Sequence, residues 1–326
     1  MTFKEIIRKL LPLIDLVAIP FVFISAVFLR YVRKADFQRM KRCKTVLLNV
    51  GLLPVIDHYY EPFFDPRHLK TSLRADRYLP GIDLNVSGQL ALLKHFTFSD
   101  ELRRLPLTGP GGEAGFHYSN TTFGSGDAEY LYNIVRHFKP KRIIEIGSGF
   151  STLVSLAAIK ANQTETTSYS CEVTCIEPYE AAWLERTAAN VIRQRAEDLN
   201  VDVFQQLEAN DILFIDSSHV IKPQGDVLFE YLGILPSLKP GVLVHVHDIF
   251  TPKDYPDDWL KGEMRLWNEQ YLLEAFLTFN DKFRILGALN YLKHHHFEAL
   301  SSTCPILGGS PGREPGSIWL MRLNEG

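Results

Sequence analysis

The stretch RIIEIGSGFST, from Arg142 to Thr152, joins an apolar run to a glycine-rich turn and then to residues that can begin a helix. The run RIIEI is rich in isoleucine, a β-branched residue that favours strands. Gly147 and Gly149 let the backbone turn sharply and approach a ligand closely, because neither residue carries a Cβ atom. Ser151 or Thr152 can cap the following helix. The stretch therefore predicts a strand–turn–helix unit with a ligand at its turn.

Strands and helices alternate from this unit to the end of the chain. Apolar runs predict strands in KRIIEIG, SCEVTCIEP, NVIRQRA, DILFIDSSH, GVLVHVHDIF, FRILGAL and SIWLMRL, and helices are predicted between them, including residues 127–138, 151–161 and 179–189. This alternation predicts an α/β fold, a mostly parallel sheet with helices on both faces. Ligands of such sheets bind beyond the carboxyl ends of the strands.

The N-terminal third is organised differently. The run KTVLLNVGLLPV is strand-like, HYYEPFFDPRHL is rich in aromatic residues and proline, and PLTGPGGEAG is a loop by composition. No helical or alternating period is sustained through residues 35–117, which therefore predict an irregular cap or lid. The predicted domains are a hydrophobic helix over 1–34, this cap over 35–117 and the α/β domain over 118–326.

The run from Leu11 to Leu29 carries one charge, on Asp15, and its length approaches the ~20 apolar residues that span a membrane. Basic residues flank it: Lys4, Arg8 and Lys9 before it, and Arg30, Arg33, Lys34, Arg39, Lys41, Arg42 and Lys44 after it. This bias predicts an anchor that places the bulk of the chain on the cytoplasmic face of the membrane. A helix packed on the domain, or lying in the membrane surface, is the alternative.

The net charge and the positions of cysteine and histidine limit which ligands and partners the sequence predicts. The net charge of -3 gives no basic field, so nucleic-acid binding is not predicted. Cys171 and Cys175 have no CxxC spacing or nearby histidine, and we interpret them as small core residues rather than zinc ligands. The run His294–His296 is interpreted as an exposed loop rather than a metal site.

The acidic residues around the glycine turn indicate the kind of cofactor. Glu145 lies two residues before Gly147, where a pyrophosphate would meet an unfavourable anion but a cationic amino-acid group would not. Thr152 stands where the dinucleotide motif GxGxxG has its third glycine. Glu177 ends the second predicted strand, where a carboxylate can accept hydrogen bonds from ribose hydroxyls.

This ExGxG turn, followed by an acidic residue that ends the next strand, resembles the class I S-adenosylmethionine-dependent methyltransferases, whose domain is Rossmann-like. The resemblance covers roughly residues 118–323. It implies that Gly147, Ser148 and Gly149 lie against the amino-acid part of S-adenosyl-L-methionine and that Glu177 binds its ribose. Arg195 and Ala196, after the third strand, are expected beside the adenine. Glu145, Ser151 and Thr152, around the glycine turn, are also predicted to belong to the cofactor site.

The segment HYSNTTFGSGDAEYLY precedes the first helix of the α/β domain. Its position predicts a flap over the cofactor pocket, with Asn120 and Phe123 as cofactor contacts. Asp127 is interpreted either as part of this flap or as a helix cap.

Two further strands end in polar residues, Asp216 with His219 and His247 with Asp248. Asp216, His247 and Asp248 have side chains that suit Mg²⁺ or Mn²⁺. A metal there would lower the pKa of an acceptor hydroxyl, and His219, with Asp216 beside it, would serve as general base. The alternatives are a turn histidine bonded to backbone at His219 and a simple ion pair at His247 and Asp248.

The motifs IDSSH and HDIF resemble the metal-dependent sugar O-methyltransferases of the macrocin type and the wider Methyltransf_24-like group. Those enzymes carry a DGSH turn, in which Ser217 here replaces the glycine, and a carboxylate where this chain has His247. The resemblance implies O-methylation of a hydroxyl on a sugar, a glycan or a related small molecule, with a role in polysaccharide biosynthesis suggested by the membrane segment.

Three other functions stay open at the level of sequence. They are an oxygenase of the cephalosporin-hydroxylase-like type, a non-catalytic methyltransferase-like module and, less well matched, a nicotinamide dehydrogenase. The oligomeric state is also open, with a homo-oligomer allowed.

Overall fold

A computed structural model of the protein describes residues 3–109 and 115–324. The chain forms two compact units, Met1–Lys70 and Thr71–Gly326, so the predicted cap over 35–117 is divided between them. The centre of the predicted loop PLTGPGGEAG lies outside the described residues.

The first unit contains helix α1 (Phe3–Lys34) and helix α2 (Lys41–Val50). Within α1, Arg8–Lys34 is long and apolar enough to cross a membrane, and most of its apolar side chains are exposed. The strand expected around Lys44–Val50 is wrong, because this run lies in α2. No strand in the described part of this unit could pair with it, whereas a helix satisfies its backbone groups locally. Gly51, in the left-handed region at φ 76°, ends α2.

The second unit is built on a seven-stranded sheet with the order β3-β2-β1-β4-β5-β7-β6. Its strands are β1 (Arg142–Ile146), β2 (Glu172–Ile176), β3 (Asn190–Ile192), β4 (Ile212–Ile215), β5 (Leu243–Val246), β6 (Phe283–Ala288) and β7 (Ile318–Arg322). Strands β1 to β5 are parallel, and β7 is antiparallel to both of its neighbours. The predicted α/β fold is confirmed. Because the chain reverses its winding between β1 and β4, a ligand crevice is expected at their carboxyl ends.

Helices cover both faces of the sheet. They are α3 (Val86–Leu93), α4 (Ser99–Leu102), α5 (Asp127–Phe138), α6 (Phe150–Glu165), α7 (Asp202–Gln205), α8 (Asp226–Phe229), α9 (Leu235–Ser237), α10 (Glu269–Leu277), α11 (Leu289–His295), α12 (Phe297–Thr303) and α13 (Pro305–Gly308). A π-helical turn, Glu230–Ile234, joins α8 to α9. Along β4, Ile212 and Phe214 enter one core, whereas Leu213 and Ile215 enter the other, as the two-residue period of a strand requires.

Two sequence predictions outside the site are corrected. The helix expected over 179–189 is a loop with one 3₁₀ turn, Leu184–Arg186. The guanidinium of Arg193 donates hydrogen bonds to the carbonyls of Glu177 and Glu180, and these contacts hold the loop open.

The histidine run lies at the end of α11 rather than in a loop. Nε2 of His294 is 2.9 Å from Glu314, and Nε2 of His295 is 2.7 Å from Asp76. The two rings therefore bind different carboxylates and do not converge on one site.

Candidate cofactor and catalytic site

The two glycines of the turn after β1 have different surroundings. Gly147 lies at φ 75°, and a Cβ atom there would stand 1.8 Å from the carbonyl oxygen of Asp216. Its N–H donates to the carbonyl of Ile176 at 3.0 Å, so Gly147 packs between the ends of β2 and β4. Gly149 has extended backbone at φ -176°, and a Cβ atom there would have no described atom within 4 Å. The fold needs a glycine at Gly147, and Gly149 borders open space.

Glu145 lies under the turn. Its side chain is buried and accepts a hydrogen bond from the Thr152 hydroxyl, at the start of α6. Burial raises the pKa of the Glu145 carboxyl to about 7, against the hydroxyls of Ser151 and Thr152, which lower it. Ser151 and Thr152 are themselves buried. These three predicted cofactor residues therefore support the turn from beneath.

A cavity of about 530 Å³ opens at the carboxyl ends of the strands. It is within the size range of pockets that bind small ligands. Its lining includes the predicted residues Gly147, Glu177, Arg195, Ala196 and Asp216, together with Lys222 and Asp226, which the sequence did not indicate. The described residues that line it do not include the predicted contacts Glu145, Ser148, Gly149, Ser151, Thr152, Asn120 and Phe123.

Glu177 joins the ends of the first two strands. Its Oε1 accepts hydrogen bonds from the backbone N–H groups of Tyr179 at 2.9 Å and Glu180 at 2.8 Å. Its Oε2 lies 3.4 Å from the N–H of Ser148. The carboxylate is thus fixed at the cavity wall. Arg195, also on the wall, is paired with Asp198 at 2.9 Å.

The segment expected to form a flap is packed into the domain. Asn120 closes its own loop, because its Nδ2 donates to the carbonyls of His117 at 2.6 Å and Phe123 at 2.8 Å. Phe123 is 3% exposed and packs against the rings of Phe214 and His247. Contact of Asn120 and Phe123 with the cofactor stays a prediction.

Asp127 is neither a flap contact in this arrangement nor the N-cap residue of α5, which is Gly126. Its Oδ1 accepts hydrogen bonds from the N–H of Gly316 at 3.0 Å and the hydroxyl of Ser317 at 2.6 Å. The side chain therefore fixes the chain just before β7.

The turn after β4 is held by acidic residues that follow it. The Ser217 hydroxyl donates to Glu230 at 3.1 Å, and the Ser218 N–H and hydroxyl donate to Asp226 at 2.9 and 2.7 Å. Burial and the nearby Glu269 raise the pKa of the Glu230 carboxyl well above its usual range. The Ser217 side chain thus links the turn after β4 to the start of the π-helical turn.

Three side chains converge at this edge of the sheet. Nε2 of His219 lies 3.3 Å from Oδ1 of Asp216 and 3.5 Å from Oδ2 of Asp248. One ligand atom from each of Asp216, His219 and Asp248 falls within 4.8 Å of the other two. We call these three residues the strand-end cluster. His219 and Asp248 both have left-handed backbone, at φ 60° and 57°.

The predicted metal set was Asp216, His247 and Asp248. The structure instead brings together ligand atoms of Asp216, His219 and Asp248, so His219 takes the place of His247. The side chain of His247 is buried, with Nδ1 3.4 Å from the Ser317 hydroxyl and Nε2 3.5 Å from Oδ1 of Asp248. Its ring stacks on His245 in the core.

The charges around His219 govern its protonation. Although burial lowers the pKa of its imidazole, hydrogen bonds and charges from Asp216, Glu269 and Asp248 raise that pKa well above the usual range. The imidazole therefore holds its proton when no cation is bound, whereas a general base must start neutral. The predicted role of His219 as base is not favoured by this charge state.

The strand-end cluster fits a divalent cation. Two carboxylates and one imidazole nitrogen suit Mn²⁺ or Mg²⁺. Nδ1 of His219 lies 2.8 Å from Oε2 of the buried Glu269, and metal-binding histidines commonly have a carboxylate on their second nitrogen. A divalent cation would also offset the charges of Asp216 and Asp248.

Sequence reasoning missed the residues that support the turn after β4, namely Asp226, Glu230, Trp267 and Glu269. Glu269 lies 50 residues from His219 in the chain, and no spacing rule links them. The available signal was weak: Glu269 lies four and eight residues before Leu273 and Leu277, so it is an acid on the same helix face as these two leucines.

The match to a known protein family covers the residues of this site. Residues 144–249, which include the glycine turn and the strand-end cluster, match the Methyltransf_24 family model, described as a methyltransferase domain. A protein of Archaeoglobus fulgidus, described as uncharacterized, is 28% identical over 201 residues, which cover 58% of this chain and 89% of that protein.

Two solved structures are similar at a low level. An O-methyltransferase from Bacillus cereus, in complex with SAH, is 14% identical with a TM-score of 0.35, over 71% of this chain and 90% of that one. The plantazolicin methyltransferase, in complex with SAH, is 12% identical with a TM-score of 0.36, over 72% and 95%. Similarity this low carries no argument about function. The family match and the cavity beside the glycine turn support an S-adenosylmethionine-dependent methyltransferase.

Proposed function

We propose that the protein transfers the methyl group of S-adenosylmethionine to a hydroxyl of a sugar or glycan acceptor. One observation carries the proposal: Asp216 both lines the cofactor cavity and belongs to the strand-end cluster. A sulfonium methyl bound in the cavity would therefore lie close to an acceptor oxygen at the cluster. Methyl transfer needs this in-line approach, and positioning alone can supply much of the rate.

In this proposal Asp216, His219 and Asp248 hold a divalent cation. Such a cation lowers the pKa of a bound hydroxyl and so makes its oxygen a better nucleophile. Glu269 fixes the ring of His219, while Gly147 and Glu177 border the cofactor. If no cation binds, the imidazole of His219 carries a proton, and the general-base role expected from the sequence would require Nε2 to lose it first. The two roles exclude each other because they use the same nitrogen atom.

We further propose that α1 anchors the protein to the cytoplasmic face of a membrane, with a lipid-linked or polysaccharide intermediate as acceptor. The exposed apolar side chains of α1 and the basic residues after it support this location. Mass spectrometry of glycans from cells with and without the protein tests the acceptor. A methyl group lost from a glycan identifies it, whereas an unchanged glycan profile argues against this acceptor class.

Binding calorimetry with S-adenosylmethionine tests the cofactor site. Glu177→Ala should weaken binding by about 1–3 kcal/mol, the usual cost of leaving polar partners unpaired. Glu172→Ala is the matched control, since Glu172 is an exposed carboxylate at the opposite end of the same strand. Equal affinities of the two variants would reject the ribose role of Glu177.

The cation is tested separately. Asp248→Asn keeps the shape of the side chain and tolerates the left-handed backbone, and it should abolish any dependence of turnover on Mg²⁺ or Mn²⁺. Asp281→Asn, at an exposed residue outside the cluster, should leave that dependence intact. Full activity of the native protein in chelator would reject the cation and leave methyl transfer standing.

A further inference from the structure

Three consecutive residues surround His219. The ring of Trp267 lies over its imidazole, with 4.3 Å between ring centroids. The backbone N–H groups of Asn268 and Glu269 donate to the His219 carbonyl at 3.0 and 3.2 Å. The Glu269 carboxylate binds Nδ1 at 2.8 Å. We call Trp267, Asn268 and Glu269 the clamp, because they hold the ring face, one ring nitrogen and the backbone of a single histidine.

Glu269 is itself fixed in place. It is the first residue of α10 and is fully buried, and its Oε1 accepts a hydrogen bond from the hydroxyl of the buried Tyr231 at 3.1 Å. A carboxylate can only accept hydrogen bonds, so Nδ1 of His219 must carry a hydrogen atom. Nε2 is then the nitrogen that faces Asp216 and Asp248.

The clamp also explains the backbone of His219. A residue other than glycine rarely adopts a positive φ, and His219 lies at φ 60°. Two backbone hydrogen bonds from the clamp end at its carbonyl, and the N–H of Ile221, two residues further on, donates to the Asn268 side chain at 2.7 Å. Contacts from the start of α10 therefore stabilise the turn that follows β4.

We propose that Glu269, supported by Tyr231 and the rest of the clamp, is a positioning residue that sets the tautomer and direction of His219 and so presents Nε2 to the strand-end cluster. The identity of the group that meets Nε2, a divalent cation, rests on the proposed function. The orientation of the ring does not, because it follows from contacts on the other side of the imidazole.

The first test measures Mn²⁺ affinity of the full chain by calorimetry. Glu269→Ala should weaken binding by about 10- to 100-fold, the range seen when the partner of a metal-binding histidine is removed. Glu269→Gln keeps one acceptor oxygen and should restore part of the loss. Glu274→Gln is the matched control: Glu274 is a buried carboxylate on the same helix, bound to Arg77 and Thr251. The control should keep wild-type affinity, and an equal loss in both positions would overturn the proposal.

The second test needs neither a cation nor activity. Nitrogen-15 NMR of the His219 imidazole in the metal-free protein reports the hydrogen atom on Nδ1 and its hydrogen bond to Glu269, whether or not Nε2 is also protonated. The signals should change in Glu269→Gln and stay unchanged in Glu274→Gln. If the wild-type protein binds no Mn²⁺, the cation of the proposed function is rejected while these signals still decide the role of Glu269. Unchanged imidazole signals in Glu269→Gln would overturn the positioning role.

Tyr231→Phe tests the positioning role of Glu269 if the Glu269 variants do not fold. It removes one hydroxyl, whose hydrogen bond to Glu269 is its contact with the clamp, and keeps the aromatic ring in the core. We expect a smaller change in the same direction, both in the NMR signals and in Mn²⁺ affinity. A Tyr231→Phe protein indistinguishable from wild type in both measurements, alongside unfolded Glu269 variants, would assign Glu269 to folding alone.

Discussion

Gly147 and Gly149 have equivalent places in the sequence motif but different places in the structure. Gly147→Ala would put a Cβ atom 1.8 Å from the Asp216 carbonyl at a positive φ, so it should lower the free energy of unfolding by roughly 2–4 kcal/mol. Gly149→Ala should change that free energy by less than about 0.5 kcal/mol, since its methyl group would project into open space. If Gly149 lies against the cofactor, as the sequence predicts, the same methyl group should weaken S-adenosylmethionine binding. Denaturant unfolding and calorimetry measure the two effects. Similar stability losses in both variants would contradict this assignment.

Glu145 should make stability depend on pH. Its carboxyl has a folded pKa of about 7 against a usual value of 4.5, because burial disfavours the charged form. The neutral Glu145 carboxyl contributes folding stability that is fully present below pH 4.5 and is lost as the pH rises through about 7. The unfolding free energy of wild type, relative to that of Glu145→Gln, should therefore fall by roughly 3 kcal/mol as the pH rises across this range. Urea unfolding at a series of pH values, without cofactor, measures it, and a pH-independent difference would be the contrary result.

The residues that sequence could and could not predict differ in how they reach the site. Glu177, Asp216 and Asp248 each follow an apolar strand, and parallel strands bring their carboxyl ends together, so local pattern was enough. Glu269 reaches His219 from the start of a helix, through tertiary packing that has no local sequence signature. The exchange of His247 for His219 in the cluster has a similar cause, because the direction of a side chain after a turn depends on left-handed backbone at His219 and Asp248.

At the level of elements, the buried strands were predictable because each is a short apolar run bounded by polar or turn residues. Two of the failures, over Lys44–Val50 and over 179–189, occur where tertiary surroundings outweighed the local conformational preference. An apolar run without a partner strand became α2, and a run with helical composition stayed open because Arg193 binds its carbonyl groups. The helices between Leu289 and Gly308 were missed because each is too short to show a period.

Asp211 joins elements at the end of the sheet opposite the cofactor cavity. Its buried carboxylate accepts hydrogen bonds from the N–H groups of Lys141 and Arg142, where β1 begins, and of Glu208, before β4, each at 2.9 Å. Asp211→Ala should lower the free energy of unfolding by about 1–3 kcal/mol, since three partly buried backbone N–H groups lose the carboxylate that accepts their hydrogen bonds. Affinity for S-adenosylmethionine, measured by calorimetry below the unfolding transition, should stay at the wild-type value. A variant with normal stability, or with weakened binding alone, would show that Asp211 acts differently.

At the scale of the whole molecule, the proposed cofactor binding and the proposed membrane attachment belong to different compact units. Every residue that lines the cofactor cavity, and every member of the strand-end cluster, lies in Thr71–Gly326, whereas the apolar helix lies in Met1–Lys70. Membrane attachment and cofactor binding should therefore respond to different substitutions.

Phe21→Lys tests this separation. Phe21 is 70% exposed near the middle of Arg8–Lys34, and a charge at the centre of a membrane helix costs about 2.5–3.5 kcal/mol. The full-length variant should sediment less with phospholipid vesicles than wild type and bind S-adenosylmethionine equally well. Tyr78→Lys is the control, because Tyr78 is 90% exposed in the second unit and should change neither property. Wild-type protein that stays in solution in the presence of vesicles would reject the anchor, and a Phe21→Lys protein that loses cofactor affinity would show that the two units do not act independently.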